Sequence, residues 1–447
     1  MNKLDVALST FTARLRTLLP SALYFAGVVA ARGGNTVGLL LIATVLGFVG
    51  FAPVAAVISF VTLFTALIGS GLGTVAMRNT SVAFLRSASE FRSLVRWLAG
   101  WTALTGLGSA GLAVLLAYPA ARFSLGDGRF WPLFALAAIS VFAGHVSAVS
   151  SGVLLASRRF RYLTAANLSY GVLVLIACVV AVELRSAQAA VLGMGLAAAV
   201  QTAIGCWGIR RDFFSGRGER KPLGPYSLRA IGPDWLAASA GGTILTAGQF
   251  LTLTLLKDSP TGIGAIGLFS VMLQMVNIFL FVPTQVSGYF FQTLVRYTKE
   301  DQQARLWRLT CFVALCGAAF GAASLFLVYA AAPWIPIFRK VIAYGPMQPT
   351  IAAFAIMAGS LNAFLVALYV ASGRYGRWSV FIAAGTSTNL LLVFMLRKVT
   401  PEAGLLGVTG GYFVTAACAI LFVRAGRGAL DKSEMPPPDR SATAAGF

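Results

Sequence analysis

Arg32 lies about twelve residues into an apolar run that begins near residue 20, roughly 18 Å deep at the ~1.5 Å rise of a helix. All 14 acidic residues fall in loops, tails or span ends, and none lies at mid-membrane depth to pair with it. A lone guanidinium at such depth is expensive, and groups of this kind face a water-filled cavity or an anionic substrate. The alternative is that the span starts later and the side chain snorkels to the interface. Asn35 and Thr36 follow at i+3 and i+4, on the same helical face, and Gly33 and Gly34 are expected to loosen the helix there. The chemistry on offer is non-covalent. A rigid fork of donors matches phosphate oxygens, and the amide and hydroxyl extend the same polar face.

A second polar stripe runs through Ser270, Gln274, Asn277, Thr284 and Gln285, with spacings that keep them on one helical face. A weaker one comprises Ser239, Thr243, Thr246 and Gln249. Either stripe could line a cavity that hydrogen-bonds sugar hydroxyls or phosphate oxygens, or could bond neighbouring helices together. The cavity residues expected from this pattern are Arg32, Asn35, Thr36, Gln249, Gln274, Asn277 and Gln285. Arg78 and Arg296 end two of the apolar runs, where they could collect anionic headgroups or anchor their helices. His145, the single histidine, lies in mid-run. It is the one intramembrane group with an ordinary pKa near neutrality, unless it is simply a neutral bridge between helices.

Soluble catalytic signatures are absent: there is no GxxxxGK[ST], HExxH or GxSxG, and no pair of carboxylates on one helical face. The five cysteines show no CxxC or Cys/His ligand spacing, so neither metal nor cofactor is expected. The chain reads as a non-enzyme.

The elements that must position these groups follow from composition. With 58% apolar and 11% charged residues and a mean hydropathy of +0.80 over 447 residues, the chain is neither disordered nor a soluble enzyme. Twelve runs are long enough to cross a bilayer. They are 20–47, 54–77, 97–119, 131–156, 163–183, 187–208, 235–256, 264–291, 309–332, 348–371, 378–396 and 404–423. Alternating the connections between two sides puts 26 of the 35 Lys and Arg on one side and 8 on the other, with Arg32 between them. This asymmetry predicts a multi-pass membrane protein with both termini cytoplasmic. It also accounts for nearly all of the +21 charge without nucleic acid. The two sides are called below the basic face and the sparse face.

The longest polar connection, 209–234, falls near the midpoint. It divides an N-terminal six-helix lobe (1–208) from a C-terminal one (235–423), and a polar tail (424–447) reads as disordered. Ala156-Ser157-Arg158-Arg159-Phe160 returns as Ala371-Ser372-Gly373-Arg374-Tyr375, and Phe51 and Arg78 bracket the second span as Phe269 and Arg296 bracket the eighth. Such a parallel repeat predicts a pseudo-twofold axis along the membrane normal, with the substrate path between the halves.

Several stretches carry a resemblance. They are Leu46-Gly47-Phe48-Val49-Gly50-Phe51, the run Gly69 to Arg78, Ser157-Arg158-Arg159-Phe160, Ile266-Gly267-Leu268-Phe269-Ser270 and Ala371-Ser372-Gly373-Arg374. In that order, over nearly the whole chain, the sequence resembles the polysaccharide and lipid-linked-oligosaccharide flippases of the multidrug/oligosaccharidyl-lipid/polysaccharide exporter superfamily, the O-antigen and exopolysaccharide type. The resemblance implies an all-α, V-shaped alternating-access transporter of two lobes around a cationic cavity. It also implies a polyprenyl-pyrophosphate-linked oligosaccharide as cargo and polysaccharide polymerase or assembly proteins as partners. Ser70 and Gln249 stand where such proteins often carry acidic residues, which weakens any inference of carboxylate-based ion coupling. Two other readings stay open: a multidrug or ion-coupled exporter of the same architecture, which would want an intramembrane carboxylate, and a membrane glycan polymerase or ligase, which would want a long outer loop.

Overall fold

The computed structural model describes the backbone of residues 3–214, 228–289, 302–371 and 374–425, with 294 and 297. Side chains are described from Ala22 onward apart from short stretches, one of which includes Gln285. Residues 215–227 of the 209–234 connection, the tail beyond Ala425 and Arg296 lie outside these residues.

The described residues are helical almost throughout. Helix α1 (Lys3–Thr65) is interrupted at Gly47, whose φ of 70° and ψ of 175° are not helical. A π turn, Ala66–Ser70, joins it to α2 (Gly71–Arg86). Then come α3 (Ala88–Leu115), the short α4 (Ala117–Leu125), α5 (Trp131–Ala156), α6 (Phe160–Glu183) and α7 (Ala187–Phe214). The second half holds α8 (Leu228–Leu256), α9 (Ile263–Tyr289), α10 (Gln303–Ala331), the short α11 (Pro336–Tyr344), α12 (Gln348–Ala371), α13 (Tyr375–Leu396) and α14 (Ala403–Ala425).

Eleven helical segments are long and apolar enough to cross a membrane, and the first, Ala22–Thr65, has 44 residues. At ~1.5 Å per residue it would reach about twice the ~30 Å hydrocarbon core. It crosses twice. Asn35 from before Gly47 and Ile58, Thr62 and Thr65 from after it line the same chamber, so the chain reverses at Gly47 and the twelve expected spans are present. No polar loop is needed for that reversal, because glycine adopts positive φ without a Cβ penalty.

The two halves repeat one pattern of packing. In the first, span one packs on span five, two on four, three on four, four on six and five on six. In the second, seven packs on eleven, eight on ten, nine on ten, ten on twelve and eleven on twelve. Across the middle, α1 meets α9 and α2 meets α8, which is the pair of contacts a twofold relation would exchange. Close approach inside a lobe rests on small residues. A Cβ on Gly34 would stand 2.3 Å from the carbonyl oxygen of Gly171, and one on Gly171 would stand 2.2 Å from that of Ala30. Gly34 therefore seats span one on span five and does not loosen it; α1 is regular through this point.

Candidate functional site

A cavity of about 480 Å³ lies between the halves, walled by both limbs of α1, by α8 and by α9. Six of the seven cavity residues expected from the sequence line it: Arg32, Asn35, Thr36, Gln249, Gln274 and Asn277. The side chain of the seventh, Gln285, lies outside the described residues. Ser270 and Thr284 complete the stripe on α9. Among the described residues no acidic side chain lines this cavity and no ion pair involves Arg32. Its guanidinium is therefore the one formal charge on the described lining, inside low-dielectric walls that amplify its pull on an anion. Among the described residues no cluster of His, Cys, Asp or Glu could hold a metal.

Sequence reasoning missed Ser59 and Thr62, which line the cavity from the second span. The repeat carried the signal. A shift of 218 residues, the one that relates Phe51 to Phe269, carries Ser59 onto Asn277; all four residues line the same space.

Two side chambers adjoin it. One, of about 630 Å³, is walled mostly by the first half, with Gly242, Leu245 and Thr246 of α8 on its other side, and shares Asn35, Ile58 and Thr62 with the central cavity. It presents Ser140, Ser147, Ser151, Tyr170 and Gln201 and no charged side chain. The other, of about 300 Å³, lies in the second half and shares Gln249, Leu280 and Thr284. There Asn389 donates through Nδ2 to Thr252 Oγ1 at 3.1 Å, and Asn362 donates to the carbonyl of Tyr412 at 3.0 Å.

Toward the sparse face the cavity ends on Phe51 and Phe269, both buried. Beyond them the halves are in tight contact. A Cβ on Gly267 would lie 2.0 Å from the carbonyl oxygen of Phe48. The rings of Phe48 and Tyr344 pack edge to face at 5.3 Å, and Lys340 Nζ donates to the carbonyl of Thr44 at 3.0 Å. The amphipathic helix α11, not expected from the sequence, supplies both Lys340 and Tyr344.

Toward the basic face the two seams differ. Between α2 and α8, Thr243 Oγ1 donates to the carbonyl of Ala66 at 3.3 Å, Gly71 abuts Ser239, and Arg78 pairs with Asp234 at 3.1 Å. Arg78 is thus engaged across the seam. Between α1 and α9 the rings of Phe25 and Phe281 lie 5.7 Å apart. The cavity lining there includes Val29 and Ile278, each 43% exposed. This seam gives the polar cavity an apolar rim toward lipid.

His145 is fully buried on α5, outside the central cavity. Its Nδ1 is 2.9 Å from the carbonyl oxygen of Val141 on its own helix, and its Nε2 has no hydrogen-bond partner.

No family model and no curated protein sequence matches the chain. Solved structures do. An inward-facing multidrug-resistance MATE transporter of the MOP superfamily superposes with a TM-score of 0.68 at 14% identity, covering 90% of this chain and 96% of that one. An outward-facing conformation of a MATE transporter of the same superfamily gives 0.55 at 13% identity, over 88% and 95%. The lipid II flippase MurJ, in an inward closed conformation, gives 0.64 at 12% identity, over 90% and 87%. The described residues, helical almost throughout, share the fold of these solved structures.

Proposed function

We propose that the protein flips a polyprenyl-pyrophosphate-linked oligosaccharide from the cytoplasmic to the outer leaflet of the bacterial inner membrane, for cell-surface polysaccharide assembly. The observation that carries this reading is Arg32: an intramembrane cation without an acidic partner, grouped with Asn35, Thr36, Gln249, Gln274 and Asn277 in one cavity. The pyrophosphate is the part of such a lipid that hydrocarbon excludes, and a fixed guanidinium offers it charge-assisted bonds in place of water.

The surroundings fit the rest of the molecule. The uncharged hydroxyl and amide groups of the adjoining 630 Å³ chamber suit a glycan, and the apolar rim between α1 and α9 lets a prenyl tail stay in lipid while the head moves. The lipid bilayer is then both solvent and source of the cargo, and polymerase or assembly proteins would receive it. In this cycle Arg78 could meet a headgroup only after leaving Asp234; Arg296, its counterpart in the repeat, is assigned the same role from sequence alone. With the basic face inward, the tight contacts around Phe48 and Gly267 would close the outer side.

A multidrug exporter of the same fold is the second reading, and the MATE likeness favours it at the level of fold. The absence of an acidic residue from the described cavity lining disfavours it, because a cationic drug would meet Arg32 unopposed.

The test is deletion of the protein followed by extraction of lipid-linked intermediates. Complete repeat units retained on the cytoplasmic leaflet are the expected result. Truncated glycans would point to an assembly enzyme and overturn the proposal, as would unchanged surface polysaccharide.

A further inference from the structure

We propose that His145 is a proton-binding site coupled to transport, and that the π turn Ala66–Ser70 is the element its protonation displaces. The inference requires only that the chain is a transporter, whatever lipid or solute it carries.

The imidazole is held in one tautomer. Because a carbonyl can only accept, the 2.9 Å contact with Val141 places the hydrogen on Nδ1 and leaves Nε2 as a bare acceptor. That acceptor is buried and unpartnered. It is covered by the π turn: a Cβ on Gly69 would stand 3.0 Å from Cδ2 and 3.3 Å from Nε2, so glycine is what allows the turn to close over the ring edge. Beside it Thr65, the last residue before the turn, packs against Gly144, and its Oγ1 is also buried without a partner. Gly106 of α3 approaches the Cβ of His145 from another side, and Thr202 of α7 donates to the carbonyl of Ala143.

No charged group supports an imidazolium here. Within the spans packed around α5, the titratable or charged side chains are Tyr24 and Arg32 on α1, Tyr118 on α4, Tyr170, Cys178 and the terminal Glu183 on α6, and Cys206 on α7. None of them is hydrogen-bonded to the ring, and no charged side chain acts on it electrostatically. A proton on Nε2 would therefore create a buried cation with an unsatisfied donor and no counter-ion. Proton uptake and this packing exclude one another, so protonation shifts the population toward conformations in which the turn has moved away.

The turn is placed to transmit that shift. Its first carbonyl, Ala66, receives Thr243 from the other half, and the residue after it, Gly71, lies against Ser239. Resolving a one-residue π bulge into regular helix turns everything beyond it by about 100°. That rotation would carry Arg78 away from Asp234 and part the α2–α8 seam. Proton binding would then be read out at the basic face.

The test uses the full chain in nanodiscs, purified without a polyhistidine tag. With a single histidine, ¹⁵N-imidazole labelling reports one ring. Between about pH 8 and about pH 5 the neutral Nδ1–H tautomer should give way to imidazolium. Over the same interval, spin labels at Phe84→Cys and Leu236→Cys, in a background lacking the native cysteines, should report a longer distance. His145→Gln should hold its high-pH distance throughout. If that variant does not fold, Gly69→Ala takes its place and should populate the longer distance already at high pH. The proposal is overturned if the ring stays neutral over the whole interval, if it protonates with no change in distance, or if either variant responds to pH as wild type does. No transported lipid enters these measurements, so they stand or fall apart from the flippase reading.

Discussion

Arg78 Nη1 and Asp234 Oδ2 lie 3.1 Å apart and join the first half of the molecule to the second at the basic face. Their side chains are 60% and 54% exposed, so the pair contributes at most about 1 kcal/mol to stability. Its leverage is on the balance between two arrangements of the halves. Asp234→Asn should leave the melting temperature nearly unchanged and lengthen the Phe84–Leu236 label distance at high pH. The exchange Arg78→Asp with Asp234→Arg should restore it. A distance unaltered in the single variant would remove the pair from the gate.

Arg32→Ala should abolish transport without loss of membrane insertion. Arg32→Lys keeps the charge but not the planar fork, and should retain a fraction, with a deficit of roughly tenfold for one lost charge-assisted bond of about 1.5 kcal/mol. Flipping in proteoliposomes, together with recovery of folded protein, measures both. Transport near wild type in Arg32→Ala would sink the cavity assignment.

Gly33 and Gly34 are adjacent in sequence and opposite in consequence. A Cβ on Gly33 meets nothing within 4 Å, while one on Gly34 meets the Gly171 carbonyl at 2.3 Å. Gly33→Ala should be neutral or slightly stabilising through helix propensity, by up to ~1 kcal/mol. Gly34→Ala forces spans one and five apart and should destabilise by about 1–3 kcal/mol. Thermal unfolding of both variants in one detergent decides it; equal melting temperatures would contradict the packing described.

Gly267→Ala tests the closure at the sparse face. The added methyl would sit 2.0 Å from the Phe48 carbonyl oxygen, so the α1–α9 contact cannot remain as it is. A cysteine at Ala55, buried beside the cavity, should then react with a membrane-impermeant thiol reagent added at the sparse face, where the same cysteine in the parent is protected. Equal protection would show that the seal lies elsewhere.

Much of the architecture was legible before any coordinates. The spans of α3, α5 to α10 and α12 to α14 follow from apolar run length, because a segment that satisfies its own backbone bonds has one way to sit in hydrocarbon. The cavity stripe on α9 was legible for a related reason: polar residues in an apolar run must face something polar, and helical spacing says which of them face it together. Arg32 stood out because nothing in its own span could neutralise it. The 218-residue shift that relates Phe51 to Phe269 also relates Ser59 to Asn277, yet a serine in an apolar run is too common to stand out alone.

Other features depended on partners far away in the chain. Gly34 reads as a weak point of α1 until Gly171 is seen against it, and Arg78 reads as a free cation until Asp234, 156 residues later, arrives beside it. Nothing in run length foretells a reversal at Gly47 without a loop, or a π turn closing over His145.

The sequence alone determined that this chain holds apolar runs enough for twelve crossings, and that one cation deep within them has no acidic residue in its own run. Those properties follow from hydration, which acts on each residue by its own chemistry. Tertiary structure decided that Arg32, Gln249, Gln274 and Asn277 share a single cavity, that the α2–α8 seam is fastened at the basic face, and that the lone imidazole is roofed by a glycine. Those depend on which helix faces lie within a few ångströms of one another, and close packing sets that through the shapes of residues far apart in sequence.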